Sequence, residues 1–275
     1  MSGTTAGSGF RNFEHAGWQG AAAAYAERWG ALTHQAVEPL LDAVGAGPGV
    51  RLLDVATGPG YVAAAAAARG AQVTGLDFSA VMVAQARERY PRVEFREGEA
   101  DALPFPDASF DSVVIAFGIL HFERPEQALA EAHRVLRPGG RVAFTVWATP
   151  DQAVGFDIVL KAVQAHGNPH VPLPPASPFF RFSDAAETSR VLIEIGFREP
   201  AVTQVPQVWR LPSPAALFEA MQYGTVRTAG MLRAQTLDAL AAIGAAVRAG
   251  AAAYQRGDAV ELPMPAVLAS ATKPA

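Results

Sequence analysis

The chain contains no cysteine among its 275 residues. Disulfides, thiolate zinc sites and cysteine nucleophiles are therefore excluded. Runs of Lys and Arg are also missing and the net charge is −4, so we expect no nucleic-acid partner. No apolar run reaches the roughly 18 residues of a membrane-spanning helix, and residues 1–9 lack the basic and apolar regions of a signal peptide. These absences predict a cytoplasmic protein without a membrane span.

Strand and helix patterns alternate through the first half of the chain. Half of all residues are hydrophobic and 17% are charged, which predicts a large buried core. Predicted strands cover residues 50–55, 72–76, 93–96, 110–117 and 141–146, with predicted helices at 61–69, 80–89 and 125–136. Most of these strands are continuous apolar runs, as expected when helices cover both faces of a parallel sheet. We therefore predict an α/β fold with a doubly wound, Rossmann-like sheet.

The segments on either side of this core are less regular. Residues 1–12 are small and polar, and we expect them to be frayed. Residues 18–44 have a helical pattern, in which Tyr25 and Trp29 either anchor the helix to the core or belong to a lid over a ligand. Beyond residue 150 we expect helices at 151–165, 183–195, 214–224 and 225–254, a proline-rich loop at 168–180, and strands at 199–209 and 259–270, the last interrupted or confined to an edge by its prolines. The predicted organisation is a helical lid (1–45), a ligand-binding core (46–150) and a C-terminal part (151–275) that completes the sheet and carries substrate-cap insertions at 151–182 and 212–257.

A glycine-rich turn after the first strand is the centre of the predicted site. Asp54 lies near the end of that strand, and Thr57, Gly58 and Gly60 lead into an alanine-rich helix. A strand, a glycine turn and a helix N-terminus bring free backbone N–H groups to a crevice, where a nucleotide-like ligand can approach the main chain. The spacing Gly58-x-Gly60-x-x-Ala63 also fits the dinucleotide pattern. Glycine spacing alone therefore leaves the cofactor open.

Acidic residues follow the ends of the first three predicted strands. Asp54, Asp77, Glu99 and Asp101 are expected to converge on one crevice, because ligands of an open parallel sheet bind beyond the carboxyl ends of its strands. A dinucleotide pyrophosphate beside Asp54 would be repelled by about 4 kcal/mol at 4 Å and an effective dielectric of 20. A ligand with an ammonium and a sulfonium fits the same site. If this ligand also carries a ribose and an adenine, Asp77 would accept hydrogen bonds from the two ribose hydroxyls. Glu99 or Asp101 would reach the exocyclic amine of the adenine.

Five motifs extend this pattern in order along the chain: Leu53-Asp54-Val55-Ala56-Thr57-Gly58-Pro59-Gly60, Gly75-Leu76-Asp77-Phe78-Ser79, Gly98-Glu99-Ala100-Asp101-Ala102-Leu103-Pro104-Phe105, Phe110-Asp111 with Leu120-His121-Phe122, and Arg134-Val135-Leu136-Arg137-Pro138-Gly139-Gly140. Together they resemble the class I S-adenosylmethionine-dependent methyltransferases, in particular the small-molecule branch related to the quinone and sterol C-methyltransferases.

The resemblance implies a seven-stranded, mostly parallel sheet whose last strand is antiparallel, and a glycine turn that carries the methionine portion of the cofactor. The cofactor-binding residues expected on this basis, with Phe78 and Met82 flanking the adenine ring, are Tyr25, Asp54, Thr57, Gly58, Gly60, Asp77, Phe78, Met82, Glu99, Ala100, Asp101, Ala116 and Phe117. Three positions depart from the family pattern. Ala56 replaces a glycine found in many members, Glu99 stands where the family usually has Asp, and Leu120 replaces one of two histidines, which leaves His121 alone.

The predicted function is transfer of a methyl group to an O, C or N atom of a small, largely apolar molecule. The segments outside the core are rich in aromatic and aliphatic residues and poor in Lys and Arg, which indicates an apolar acceptor. His121 either acts as a base or only lines the pocket. No histidine spacing indicates a metal site. Two alternatives stay open: an NAD(P)-dependent oxidoreductase, and a protein that binds S-adenosylmethionine without methyl transfer.

Overall fold

The computed structural model describes residues 9–275; the expectation of a frayed terminus at residues 1–8 lies outside the described residues. Residues 9–12 are helical, so the expectation was wrong for them. The helices are α1 (Gly9–Arg28), α2 (Gly30–Thr33), α3 (Val37–Ala43), α4 (Tyr61–Ala68), α5 (Ala80–Arg89), α6 (Pro125–Val135), α7 (Val154–His166), α8 (Ala185–Ile195), α9 (Pro214–Tyr223), α10 (Arg227–Arg233) and α11 (Leu237–Ala252). Short 3-10 turns occur at His34–Ala36, Ile119–His121 and Arg181–Ser183.

The strands form two sheets. They are β1 (Arg51–Val55), β2 (Gln72–Asp77), β3 (Glu94–Glu97), β4 (Phe110–Ala116), β5 (Leu136–Trp147), β6 (Arg198–Val205), β7 (Val208–Leu211), β8 (Gln255–Arg256), β9 (Ala259–Pro263) and β10 (Ala266–Thr272). The main sheet has seven strands in the order β3-β2-β1-β4-β5-β10-β6, and a three-stranded sheet has the order β7-β9-β8.

The main sheet is parallel from β3 to β5. Its last strand in the chain, β10, runs antiparallel between β5 and β6. Strand order reverses between β1 and β4, where Asp54 pairs with Gly75 on one side and Val114 on the other. This is the switch point at which a doubly wound sheet opens a crevice. The predicted Rossmann-like, seven-stranded fold is confirmed.

The central strands are buried because helices cover both faces of the sheet. Leu52, Leu53, Val113 and Val114 have no exposed surface. Continuous apolar strands of this kind cannot face water on either side, which is why the bounds of β1 and β4 were predictable to within one residue, whereas β5 begins five residues before its predicted start at residue 141. The core built on them holds the turns at the strand ends in fixed positions.

Two predicted strands are each divided in the structure. Residues 199–209 form β6 and β7, which belong to different sheets, and Pro206 lies between them. Residues 259–270 form β9 and β10 with a break after Pro263. Proline has no N–H to donate to a strand ladder, so it marks the point where the chain leaves a sheet. The prediction of one strand at 199–209 was wrong in this respect.

The predicted long helices are also interrupted. The segment 18–44 comprises the end of α1, then α2, a 3-10 turn and α3, and the segment 225–254 comprises α10 and α11. Trp29, at the first break, is buried and its indole Nε1 donates to the Ala220 carbonyl of α9 at 3.1 Å. The anchoring role considered for Trp29 is therefore confirmed. Within residues 9–275, no helix combines the length and apolar character needed to cross a membrane.

Candidate active site

A cavity of about 850 Å³ opens at the carboxyl ends of β1, β2 and β4, with α1 on its other side. The predicted site residues that line it are Tyr25, Gly58, Asp77, Phe78, Met82, Glu99, Ala100, Asp101, Ala116, Phe117 and His121. Asp54, Thr57 and Gly60 are not among its lining residues. The sequence therefore predicted most of one wall of the cavity, from residues that lie at four strand ends.

Asp54 lies behind the glycine turn and does not face the cavity. It is fully buried, and its Oδ2 accepts hydrogen bonds from Thr57 Oγ1 at 2.6 Å and from the Ala63 N–H at 3.1 Å. Burial raises the pKa of Asp54 to about 7, against the opposing effect of these two hydrogen bonds. Asp54 and Thr57 thus brace the turn and the start of α4. This corrects the expectation that the Asp54 carboxylate stands in the crevice itself.

Gly60 also has a structural reason to be glycine. Its φ is +86°, and a Cβ at this position would lie 2.9 Å from the Phe95 ring. Any larger residue would meet both backbone strain and a packed aromatic side chain. Gly58 has a φ of +52° with open space around the position of a Cβ, and it lines the cavity. Of the two glycines, Gly58 is the one placed beside a ligand.

Asp77 is the last residue of β2, and it lines the cavity beside the glycine turn. Its Oδ2 accepts from the Gly58 N–H and its Oδ1 from the Ser79 N–H, both at 2.9 Å. Burial raises the pKa of Asp77 to about 6, with the charge of Glu99 adding to the shift and the backbone N–H groups opposing it. Each carboxylate oxygen can accept more than one hydrogen bond. Asp77 can therefore accept two further hydrogen bonds, such as those that the two hydroxyls of a ribose would donate.

Two non-glycine residues at the strand ends adopt left-handed backbone angles. Ala56 has a φ of +56° and Phe117 a φ of +52°. Phe117 stacks on Trp147 with ring centroids 4.1 Å apart. A left-handed conformation is costly for residues with a Cβ and is concentrated at functional sites. The glycine expected at the position of Ala56 from the sequence resemblance would adopt this conformation at little cost.

The helix α1 covers the cavity and is fixed at both sides of it. Arg11 forms an ion pair with Glu99. Gln19 Oε1 accepts from Ser79 Oγ at 2.7 Å and from the Val81 N–H at 3.2 Å, at the start of α5. These contacts attach α1 to residues that are expected to hold a cofactor.

Glu14 and Trp18 are site residues that the sequence reasoning missed. Glu14 is 1% exposed, and its Oε2 lies 3.0 Å from His121 Nδ1 and accepts from Trp18 Nε1 at 3.1 Å. Its Oε1 is buried without a hydrogen-bond partner among the described residues. The sequence offered little signal for Glu14, because no motif includes it and its burial is visible only in the structure. A carboxylate on Nδ1 holds a histidine ring in position and leaves Nε2 to take up a proton.

Aromatic side chains form the rest of this part of the wall. Phe156 and Phe179 line the cavity beside Trp147, and the rings of Phe156 and Phe179 are 5.7 Å apart. Such a wall is suited to a planar or otherwise apolar ligand. We call this part of the cavity, from Glu14 and His121 to Phe179, the acceptor end.

The remaining histidines and Asp111 lie in structural surroundings. His15 packs edge-on against Phe78, with ring centroids 5.3 Å apart, and the ring centroids of His34 and Tyr61 are 6.2 Å apart. Neither lines the main cavity. His133 packs on Phe197 at 4.8 Å, as expected for a packing residue. Asp111 pairs with Arg51 and Arg137, which gives it a structural role.

The charges at the glycine turn fit a cation better than a pyrophosphate. Asp77 contributes a carboxylate there, while the cavity arginines near it, Arg11 and Arg124, are paired with Glu99 and Asp101. Among the described lining residues, the arginine without a carboxylate partner is Arg227, which packs on Phe179 at the aromatic part of the wall. The residues present fit a ribose-bearing sulfonium. Across residues 9–275, no group of three or more His, Asp or Glu side chains is arranged to hold a metal ion.

The core segment matches a family of known proteins. Residues 53–144, about a third of the chain, match the family model described as a methyltransferase domain. The demethylmenaquinone methyltransferase of Renibacterium salmoninarum is 41% identical over 133 residues, which cover 47% of this chain and 56% of that protein. The ubiquinone/menaquinone biosynthesis C-methyltransferase of Methylobacterium nodulans is 44% identical over 129 residues, covering 44% of this chain and 51% of that protein. The chain thus spans about half the length of these curated relatives.

Solved structures share the fold over most of the chain. The Haemonchus contortus phosphoethanolamine N-methyltransferase 2, in complex with S-adenosyl-L-methionine, gives a TM-score of 0.59 at 21% identity over 98% of this chain and 61% of that one. The [4+2]-cyclase SpnF gives a TM-score of 0.55 at 23% identity, over 88% of this chain and 81% of that one. These similarities concern the fold alone. The family match confirms the resemblance that was drawn from the five sequence motifs.

Proposed function

From the methyltransferase domain that the chain carries at residues 53–144, we propose that this protein is an S-adenosylmethionine-dependent methyltransferase acting on a small, largely apolar molecule. The observation that carries the proposal is Asp77, whose carboxylate is held by the N–H groups of Gly58 and Ser79 at the edge of the cavity. An acid fixed in this way can bind a ribose diol and favours a cationic ligand.

The residues that would hold the cofactor follow from their places on the wall. Asp77 would accept the ribose hydroxyls, Gly58 would lie against the methionine portion, and Phe78 and Met82 would flank the adenine. Glu99 and Asp101 already pair with Arg11 and Arg124, so an adenine contact from either acid would share its carboxylate with an arginine. When bound, S-adenosylmethionine supplies an electrophilic methyl group, and the protein supplies alignment and exclusion of water.

His121 is the proposed base, and Glu14 the residue that orients it. The contact between Glu14 Oε2 and His121 Nδ1 favours the tautomer with the proton on Nδ1. Nε2 can then accept a proton from the acceptor. Trp18 packs edge-on against His121 at 5.0 Å and restricts the ring further. Since Glu14 and Trp18 belong to the lid, the base is complete only when α1 covers the cavity.

The acceptor is proposed from the chemistry of the acceptor end. Its wall is aromatic, and relatives of the core are demethylmenaquinone methyltransferases, enzymes named for a quinone acceptor. We take a cyclic apolar molecule as the acceptor class. The division into lid, core and cap insertions, and the cytoplasmic location, belong to the same proposal.

Calorimetric titration of the full chain with S-adenosylmethionine, S-adenosylhomocysteine and NADH tests the cofactor. Both sulfur compounds should bind and NADH should not. Asp77→Ala should weaken binding of both at least about tenfold, because a hydrogen bond to a charged group contributes on the order of 1.5–3 kcal/mol. Asp258→Ala, at an exposed acid outside the cavity, is the matched control. Tight binding of NADH alone would contradict the proposal.

Transfer itself is tested with S-adenosylmethionine labelled on its methyl group and a panel of quinols, phenols and terpenoids. Label should appear in members of this panel. Label found only in proteins or nucleic acids would contradict the acceptor class. Cofactor binding with no transfer to any class would support the alternative of binding without methylation, because a shared fold does not fix the reaction.

A further inference from the structure

Arg227, the first residue of α10, lies on the cavity wall between two aromatic rings. Its guanidinium carbon is 5.7 Å from the ring centroid of Phe10 and 5.4 Å from that of Phe179, and its Nη1 donates to the Ser177 carbonyl at 3.1 Å. Stacking on aromatic faces fixes the plane of a guanidinium and leaves the N–H groups along its edge available. Arg227 is therefore positioned for in-plane hydrogen bonds to a ligand.

The other arginines of the wall have carboxylate partners. Arg11 pairs with Glu99, and Arg124 lies 2.8 Å from Asp101. In the part of the chain that the structure describes, no Asp or Glu forms an ion pair with Arg227. Burial lowers the pKa of Arg227 from its usual value, and the charge of Glu14 opposes that shift. A guanidinium kept in an aromatic cavity without a carboxylate at contact distance indicates that the ligand supplies the anion.

Glu14 affects Arg227 only through its charge, because the hydrogen bonds of the Glu14 carboxylate are made with other residues. Its Oε2 is shared by His121 and Trp18. His121 and Arg227 both pack on Phe179, the histidine ring at 5.9 Å and the guanidinium carbon at 5.4 Å from its centroid. When His121 takes up a proton, its pair with Glu14 becomes neutral overall. The positive charge of Arg227 is then left to balance a negative charge on the acceptor.

We propose that Arg227 binds an anionic oxygen of the methyl acceptor. That oxygen is either a carboxylate which the acceptor carries or a hydroxyl that has lost its proton to His121. In the second case the O–H bond breaks, its electron pair stays on oxygen, and the proton forms an N–H bond on the imidazole. The proposal rests on the proposed function, because it assigns the specificity of the same cavity.

Calorimetry with simple aromatic probes tests the site in the full chain loaded with S-adenosylhomocysteine. The first pair of probes is 2-naphthoate and 2-naphthamide, which are similar in size and differ in charge. The second pair is 2-naphthol and 2-methoxynaphthalene, which differ in the ionisable proton. The variants are Arg227→Met, Arg227→Lys and His121→Ala. Arg233→Met, at an exposed arginine of the same helix, is the matched control.

In the unsubstituted protein, at least one anion-forming probe should bind about tenfold more tightly than its neutral counterpart. Arg227→Met should remove this preference while binding of the neutral probe persists, Arg227→Lys should retain part of it, and Arg233→Met should leave it unchanged. A preference for naphthoate identifies a carboxylate. A preference for naphthol that also disappears in His121→Ala identifies a hydroxyl deprotonated in the site.

Equal or undetectable binding within both pairs would overturn the proposal, as would a preference that survives in Arg227→Met. Titration of each variant with S-adenosylhomocysteine reports separately on the fold and on the proposed function. If S-adenosylhomocysteine does not bind to the unsubstituted protein, that result would count against the methyltransferase proposal. A preference that depends on Arg227 would still support the anion site.

Discussion

Ala56 holds a backbone conformation that glycine adopts at little cost. Its φ of +56° lies in the left-handed region, where a residue with a Cβ is disfavoured by roughly 1–2 kcal/mol. Part of this energy is offset because glycine loses more conformational entropy on folding. We therefore expect Ala56→Gly to increase the free energy of unfolding by up to about 1 kcal/mol. Urea denaturation at equilibrium measures this change.

A matched substitution controls for the general effect of glycine. Ala67 lies within α4, where an alanine has the conformation it prefers, so Ala67→Gly should destabilise the protein by roughly 1 kcal/mol. Equal destabilisation by the two changes would show that the left-handed conformation at Ala56 is not a source of strain.

His121 and Glu14 should differ in how strongly they affect turnover. If His121 is the base, His121→Ala should lower kcat by roughly 10²–10⁴-fold and leave S-adenosylhomocysteine binding unchanged. Glu14→Gln should lower kcat less, because the ring remains but loses its orienting carboxylate. Glu14→Asp should recover part of the activity if the charge is what matters. The measurements are kcat and KM on an acceptor found by the labelling screen, together with calorimetry. Full activity in His121→Ala would show that His121 only lines the pocket.

The residues that could be predicted from the sequence are those whose position along the chain fixes their position in space. Asp77 follows a buried parallel strand, so its place at the sheet edge was determined by β2. Glu14 and Arg227 belong to α1 and α10, which reach the cavity through packing between distant parts of the chain. No local pattern states which face of such a helix will meet the sheet. Asp54 shows a second limit of prediction, because the side chain of a residue near a strand end can point behind the turn as well as into the crevice.

If α1 acts as the proposed lid, its attachment to the core can be weakened at one point. Gln19 Oε1 accepts two hydrogen bonds at the start of α5, each contributing roughly 1 kcal/mol. Gln19→Ala should therefore let α1 open more often, and bound S-adenosylhomocysteine should dissociate roughly 3–10-fold faster. Stopped-flow displacement of the bound compound measures this rate. Glu27→Ala, at an exposed position on the same helix, is the control, and equal acceleration by both changes would contradict a specific role for Gln19.

At the scale of elements, the sequence pattern predicted the strands with two buried faces and allowed for the interruption of 259–270, but it missed the break within 199–209 and those within the long helices. Pro206 separates β6 from β7, and its missing N–H is a signal that could have been used. Thr236 caps α11 by accepting from the Ala239 N–H at 3.2 Å, a sign that the helix assumed for 225–254 begins anew there. The three-stranded sheet was not predictable in the same way, because β7, β8 and β9 are short and pair only through the tertiary arrangement.

Two buried carboxylates beside the glycine turn, Asp54 and Asp77, affect the stability of the whole molecule. Asp54 and Asp77 have pKa values raised to about 7 and about 6, mainly by burial. Both exceed the ordinary value of 3.8, so between about pH 4 and pH 7 the folded protein holds protons that the unfolded chain has released. Stability falls with rising pH whenever the folded state binds more protons. These two groups therefore favour the folded state at low pH, and that contribution is lost as the pH rises through about 7.

Asp54→Asn tests this dependence without removing the contacts of Asp54. An amide oxygen in the place of Oδ2 can still accept from Thr57 and Ala63, and the amide has no charge to bury. The free energy of unfolding of the variant, measured by urea denaturation from pH 4 to pH 8, should fall less with rising pH than that of the unsubstituted protein. The difference in unfolding free energy between the two proteins should be largest above pH 7, where Asp54 is ionised in the folded state as well. A shift of one pKa unit corresponds to about 1.4 kcal/mol. Titrating groups that do not interact with Asp54 are common to both proteins and cancel in the comparison; the repulsion between Asp54 and Asp77 is also removed in the variant and acts in the same direction. Parallel pH profiles for the two proteins would show that Asp54 titrates in the folded state as it does in the unfolded chain.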